Sequence, residues 1–216
     1  MSRVALAVAA AATLLAHSTL AQSRHRGVEL APTLGAYAPT MPLPYVFPHC
    51  GVTKGSCDIP DPPPWDGKQN NAVALGGRVT SWFSPLAALE GAFWYAPSGV
   101  ATAHGEIVGA SLRGVLNVIP HDRTVSLLLT GGPGVVSRFG DAWADYSGTT
   151  APGAVVGLSL DVNPRHGAHL RAQVEDYMYT LDLASSSPTR YSTGPIWVGY
   201  QHDLLLSVSL SPAGWP

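Results

Sequence analysis

The chain has 216 residues, 46% of them hydrophobic and only 12% charged, with a formal net charge of −2. Soluble globular domains carry about 25% charged residues, so this deficit argues against an ordinary water-exposed surface. The small net charge and the lack of any Lys/Arg cluster in the sequence argue against nucleic acid as a partner.

The N-terminus has the features of an export signal. Arg3 supplies a positive charge, and the Ala/Leu-rich apolar core that follows ends in small residues that suit cleavage after Ala21. We therefore predict a signal peptide at 1–21 and one mature domain at 22–216. The alternative, an N-terminal membrane anchor, is disfavoured because the apolar run is short. No later apolar stretch approaches the ~20 residues that a membrane-spanning helix needs.

The mature chain consists of short segments with period-two alternation, separated by Gly, Pro and Ser, which is the pattern of β-strands. We predict eight strands, at residues 28–39, 72–84, 86–96, 104–119, 124–139, 152–162, 169–183 and 198–211. Most of them reach the ~9–11 residues that a tilted strand needs to span a membrane. The connections alternate between long and short, as in barrels with long outer loops and short periplasmic turns. The longest connection is the loop at 40–71.

Alternation assigns the two faces of each strand. In the last strand, for example, Leu206, Val208 and Leu210 lie on one side, and Ser207 and Ser209 lie on the other. A soluble barrel turns such an apolar row inward, whereas a membrane barrel turns it outward and keeps the polar row in its lumen. The polar rows here are rich in Gly, Ser and Ala and carry few charges, which favours the narrow lumen of a membrane barrel.

The few charges on the polar rows include both signs, so we predict that they pair inside the lumen. These residues are Arg78, Glu90, Arg113, Asp161, Arg171 and Glu175.

Aromatic residues cluster near the predicted strand ends, where membrane barrels place interfacial girdles of Trp and Tyr. The residues expected there are Trp82, Phe83, Trp94, Tyr95, Tyr177, Tyr179, Trp197 and Tyr200. A second local feature is the run Gly131-Gly132-Pro133-Gly134, which we interpret as a bend or bulge rather than a phosphate-binding loop.

Cys50 and Cys57 are the two cysteines of the chain, and in an exported protein they predict one disulfide that staples the 40–71 loop. A metal site that uses His49 and Asp58 beside them is a weaker alternative, because the zinc spacing is irregular. An eight-stranded barrel is filled by its own side chains, so recognition is expected in the loops. The aromatic candidates for recognition are Trp65, Trp143, Tyr146, Tyr191 and Trp197. A loop that merely shields the barrel is equally compatible with the sequence.

Catalysis has little support in the sequence. There is no G-x-S-x-G motif, and Ser111, Ser159, His104 and His169 would form a nucleophile and base only if folding brought them together. No phosphate loop, dinucleotide fingerprint or regular metal-ligand spacing is present, so we expect no cofactor.

Several stretches resemble small outer-membrane barrels of the OmpA and opacity types, without a periplasmic domain. They are the segments LEGAFWY at 89–95, GGPGVV at 131–136 and RAQVEDY at 171–177. The resemblance implies an all-β, transmembrane, antiparallel up-and-down barrel of about eight strands in the outer membrane. It also implies a structural or surface-interaction role, with outer-membrane lipid as a partner and a protein partner or self-association through the outer loops. The alternatives are a secreted lipocalin-like barrel that binds a small apolar ligand, and a lipid-modifying outer-membrane enzyme.

Overall fold

The structure is a computed structural model that describes residues 27–41, 69–84, 86–100, 103–118, 125–144, 146–162, 168–185 and 195–212. The strands are β1 (Val28–Pro39), β2 (Ala72–Ser84), β3 (Ala87–Ala96), β4 (Glu106–Asn117), β5 (Val125–Phe139), β6 (Tyr146–Ser147), β7 (Thr150–Val162), β8 (Ala168–Ser185) and β9 (Pro195–Pro212). A single-turn 3₁₀ helix, Asp141–Trp143, precedes β6. Within these ranges, no helix has the length and apolarity needed to cross a bilayer.

Eight of the strands form one closed, antiparallel barrel. Neighbours in sequence pair in turn from β1 to β5, then β5 pairs with β7, β7 with β8 and β8 with β9. The barrel closes because β9 also pairs with β1, while the two-residue β6 pairs only with the end of β8. The predicted eight-stranded up-and-down barrel is confirmed. We call the end with the long connections the outer end, and the end with the short turns the inner end.

The strand register fixes the tilt of the barrel wall. A row of paired residues followed once around the barrel returns to β1 ten residues nearer the inner end. The row runs through Ala38, Leu204, Asp176, Val156, Gly131, Gly114, Leu89, Ser81 and Val28. A stagger of this size over eight strands corresponds to a strand tilt of about 40°.

The apolar rows face outward, as the alternation predicts. On β9, Leu206 and Leu210 are 51% and 54% exposed, whereas Ser209, which has the opposite strand parity, is buried. The same alternation holds on β7, where Leu158 is exposed and Ser159 is buried. A folded chain exposes a continuous apolar wall of this kind only where the surroundings are themselves apolar, so the wall faces lipid.

Three prolines coincide with places where hydrogen-bonded pairing stops. Pairing of β1 with β9 ends at Thr33, next to Pro32, and pairing of β7 with β8 ends at Gly153, next to Pro152. Pro133 lies inside β5, and the β4–β5 ladder is interrupted beside it although its register is unchanged. A proline has no N–H to donate, which accounts for each break. The interpretation of this glycine-rich segment as a bend or bulge was therefore wrong.

The expected aromatic girdle is wrong for four of its members. Trp82, Trp94, Tyr177 and Tyr179 are buried in the lumen. Phe83 and Tyr200 do face outward, at 70% and 53% exposure. Position near a strand end suggested an interface, but strand parity decides which face a side chain takes.

Glycines in the wall give the lumen aromatics room. A Cβ on Gly109 would lie 2.2–2.4 Å from atoms of the Trp94 indole, and one on Gly153 would lie 2.6 Å from the Tyr179 Cβ. The rings therefore lie directly against the backbone of the facing strand.

Candidate functional site: the filled lumen and the outer rim

An apolar cluster occupies one side of the lumen near its inner end. Trp82, Ala88, Val115 and Leu128 form one buried cluster there, contributed by β2, β3, β4 and β5. These residues face inward because they share the parity of the lumen-facing charges on the same strands.

Glu90 is the centre of a charge network above this cluster. Its carboxylate accepts hydrogen bonds from the Arg113 Nε and the Arg171 Nη1, both at 2.9 Å, and from the Thr80 hydroxyl at 2.5 Å. The Arg78 Nε lies 3.9 Å from the same carboxylate. Thr80, Glu90 and Arg113 are directly paired across β2, β3 and β4, so the register itself brings them together.

Further carboxylates complete the network. The Arg171 Nη2 lies 3.3 Å from Asp161 and 3.7 Å from Glu29. Arg113 also forms an ion pair with Glu175. All six charged residues that were predicted to face the lumen therefore belong to one connected set of contacts, and Glu29 joins them.

The buried charges are nearly balanced. Among the described residues, the fully buried charged side chains are Glu29, Arg78, Glu90, Arg113, Arg138, Asp161, Arg171, Glu175 and Asp203. These are four cations and five anions, and buried His169 lies 3.8 Å from Asp161. Balance of this kind is required because an unpaired charge inside a narrow lumen is costly.

Three of these residues, Glu29, Arg138 and Asp203, were missing from the predicted network. Glu29 lies two residues from the lumen-facing Ala31 on β1, so its inward direction could have been predicted from the alternation of the sequence. Arg138 lies at the end of an apolar stretch of β5, where its neighbours give no sign of a partner.

A second polar cluster closes the outer part of the lumen. Asp203 accepts hydrogen bonds from Tyr179 and Arg138, and the Arg138 guanidinium carbon lies 5.5 Å from the centre of the Trp143 ring. Between this cluster and the charge network, Trp94 stacks on Tyr37 at 5.3 Å and meets the edge of Tyr177 at 5.4 Å.

Hydrogen bonds join the outer connections to one another. The Asn70 N–H donates to the Gly99 carbonyl at 2.9 Å, and Gln69 pairs with Val100. The Ala142 N–H donates to the His104 carbonyl, also at 2.9 Å. These bonds hold parts of three connections across the outer mouth.

A small cavity lies between the charge network and the aromatic layer. It has a volume of about 10 Å³ and is lined by residues that include Arg78, Trp94, Arg113 and Glu175. This is space for about one water molecule. In the described part of the barrel, the lumen is thus filled by side chains rather than open.

The residues considered for catalysis do not meet. Ser159 pairs with Gln173 across β7 and β8, four residues along the strand from His169, which is about 13 Å. His104 is exposed at the rim beside Glu106, whereas the Ser111 hydroxyl lies inside the lumen near the Tyr177 hydroxyl. Within the described ranges, no group of three potential metal ligands is present either.

The predicted recognition residues have different positions. Trp143 is only 4% exposed and packs inside the outer mouth, so its indole is not presented to an outside partner. Tyr146 and Trp197 lie in β6 and β9 at the outer end. Trp65 and Tyr191 lie outside the described residues, as do Cys50, Cys57 and the signal peptide predicted at 1–21.

No protein-family model and no curated protein matches the chain, but several solved structures do. The crystal structure of Neisserial surface protein A superposes with a TM-score of 0.55 over 88% of this chain and 100% of that one, at 8% identity. The solid-state NMR structure of outer membrane protein AlkL in DMPC bilayers superposes with a TM-score of 0.54 over 89% and 92%, at 12% identity. This chain has the fold of a small outer-membrane β-barrel. The outward apolar wall agrees with that fold and places the barrel in the outer membrane.

Proposed function

We propose that this outer-membrane barrel is a non-catalytic, non-conducting protein that acts at the cell surface through its outer loops. The observation that supports this proposal best is the filled lumen. A charge network, an aromatic layer and the Arg138–Asp203 cluster occupy it in succession, and the cavity between the first two has space for about one water.

The separation of Ser111 from His104 and of Ser159 from His169 supports the non-catalytic part of the proposal, because a nucleophile needs its base within about 3 Å. The long connection at 40–71 supports the surface part, since binding residues are concentrated on loops that a rigid scaffold positions. Export by the N-terminal signal and a disulfide between Cys50 and Cys57 belong to the same proposal.

The first test is conductance. Purified barrel reconstituted in a planar phosphatidylcholine bilayer in potassium chloride should give no stable single-channel steps. Steady steps from the folded, heat-modifiable protein would contradict the proposal and show that ions pass the network.

The second test separates a surface role from a purely structural one. Cells that carry the wild-type protein, a variant with residues 42–68 replaced by a short Gly-Ser linker, or no copy are compared. A surface role predicts that linker replacement lowers attachment to protein-coated surfaces to the level of cells with no copy, while dye permeability of the outer membrane stays unchanged. Attachment equal to wild type with the linker in place would refute a role of this loop.

A further inference from the structure

A single carboxylate interrupts the lipid-facing row of β8 within the height of the apolar wall. From the inner end, Leu170, Ala172 and Val174 face outward. The next outward residue is Asp176, which is only partly exposed because His202 covers it. Above it, Met178 is outward and partly exposed, and Thr180 and Asp182 are outward and exposed.

The register gives the height of Asp176 relative to the other strands. A row of paired residues followed once around the eight strands returns to β1 ten residues nearer the inner end. Each paired residue is therefore about 1.25 residues lower than its partner on the preceding strand of the row. The outward residues level with Asp176 are then Ala36, Leu75, Ala110, Ala154 and Leu206. All of these are apolar, so Asp176 lies within the height of the apolar wall.

The apolar wall continues above this height elsewhere. Val73, Val108, Val135 and Pro152 face outward on β2, β4, β5 and β7, about two residues higher than Asp176. With a rise of about 3.3 Å per residue and a tilt of about 40°, this difference is about 5 Å along the membrane normal.

Asp176 is held by a specific partner. The His202 Nδ1 lies 3.0 Å and 3.2 Å from the two carboxylate oxygens. The outward Tyr200 ring meets the His202 ring edge-on at 4.7 Å, and the Thr40 hydroxyl donates to the His202 carbonyl at 2.6 Å. Acid, imidazole and phenol thus form one polar patch, Asp176–His202–Tyr200, on the lipid side of the wall.

A partly exposed ion pair is costly against hydrocarbon, and the cost falls steeply towards the membrane interface. We propose that polar lipid headgroups of the outer leaflet reach down to the Asp176–His202–Tyr200 patch, so that the leaflet is locally thinner along β8 and β9. This inference goes beyond the proposed surface function and depends only on the position of the barrel in the membrane.

Headgroups fit this patch better than a second copy of the chain. Hydrated headgroups leave the carboxylate and the imidazole in contact with water and offer polar groups to both. A second barrel would cover the pair with its own apolar wall, and desolvation of the pair would oppose that contact. Tyr200 adds an amphipathic ring of the kind that lies at headgroup level.

Nitroxide depth measurements test the proposal. In a background with Cys50→Ser and Cys57→Ser, spin labels are placed by Met178→Cys on β8 and by Val108→Cys on β4, which lie at the same height three strands apart around the barrel. Both proteins are folded into phosphatidylcholine vesicles. The accessibility ratio of oxygen to a water-soluble nickel chelate should be several-fold lower at 178 than at 108.

Equal ratios at the two labels would overturn the proposal, because the bilayer would then have the same thickness on both sides. Exclusion of both reagents at 178 would also overturn it, since that result indicates a protein contact such as a second copy.

A double variant tests whether the patch is the cause. Asp176→Leu with His202→Leu should raise the ratio at 178 to that at 108, while Asp182→Asn, above the apolar wall, should leave it unchanged. An unchanged ratio in the folded double variant would overturn the role of the ion pair.

Discussion

Among the described residues, Glu90 is the lumen carboxylate with the most arginine partners. Its carboxylate contacts two arginines within 3 Å and a third at 3.9 Å. Loss of its charge would leave those guanidinium groups without the carboxylate that they share, inside a space without bulk water. We therefore expect Glu90→Gln to lower the free energy of unfolding by about 3 kcal/mol, measured by urea titration of the barrel in lipid vesicles.

Glu106→Gln is the matched control for Glu90→Gln. Glu106 lies at the outer rim, 3.7 Å from the exposed His104, and accepts a hydrogen bond from the Tyr95 hydroxyl. Loss of an ion pair of that kind costs less than about 1 kcal/mol. Equal effects of the two substitutions would mean that the lumen network is as well hydrated as the rim.

Gly109 is a second position where the addition of a single carbon atom should change the stability of the barrel. A Cβ there would lie 2.2–2.4 Å from the Trp94 ring, which cannot retreat because it is packed between Tyr37 and Tyr177. We expect Gly109→Ala to destabilise the barrel by about 1–3 kcal/mol in the same assay.

Gly91→Ala provides the comparison for Gly109→Ala. No atom lies within 4 Å of a Cβ on Gly91, so this change should be neutral or slightly stabilising. A Gly109→Ala protein as stable as Gly91→Ala would show that the aromatic layer rearranges freely.

At the scale of the strands, prolines set where pairing stops. Pro133 matters most because it interrupts a ladder in its middle rather than at an end. Pro133→Ala restores one N–H between β5 and β4. We expect a gain in unfolding free energy of about 1 kcal/mol and slower hydrogen exchange at the neighbouring β4 amides, measured by NMR.

Pro32→Ala restores an N–H at the frayed end of the β1–β9 ladder. Because strand ends open locally without unfolding the whole barrel, the gain there should be smaller. A larger gain in unfolding free energy from Pro32→Ala than from Pro133→Ala would contradict the inference that the break in the middle of the β4–β5 ladder costs more stability than the frayed strand end.

Strand positions could be predicted from the sequence because period-two alternation and turn residues are local signals. The bounds of β1 and β2 agree with the prediction to the residue. The direction of each aromatic side chain was harder to predict, because Trp82 and Trp94 follow strand parity rather than the preference of Trp for membrane interfaces. Which charges meet could not be predicted, because contacts such as that of Arg171 with Glu29 depend on barrel closure.

For the molecule as a whole, the filled lumen predicts weak salt dependence of stability. Added salt screens charges that water and ions can reach, and buried pairs are screened much less. The free energy of unfolding should differ by less than about 0.5 kcal/mol between 0.05 and 0.5 M sodium chloride. A marked loss of stability in high salt would indicate that ions enter the network.

The contacts of Arg171 have a consequence for how the chain is assembled. This one residue of β8 reaches carboxylates on β1, β3 and β7, so its partners come from both ends of the barrel sequence. A chain cut short before β8 would keep Glu29, Glu90 and Asp161 but lose the cation that they share. Incomplete barrels are thereby penalised electrostatically as well as by their open edges, which makes insertion an all-or-none event and leaves truncated products exposed to periplasmic proteases.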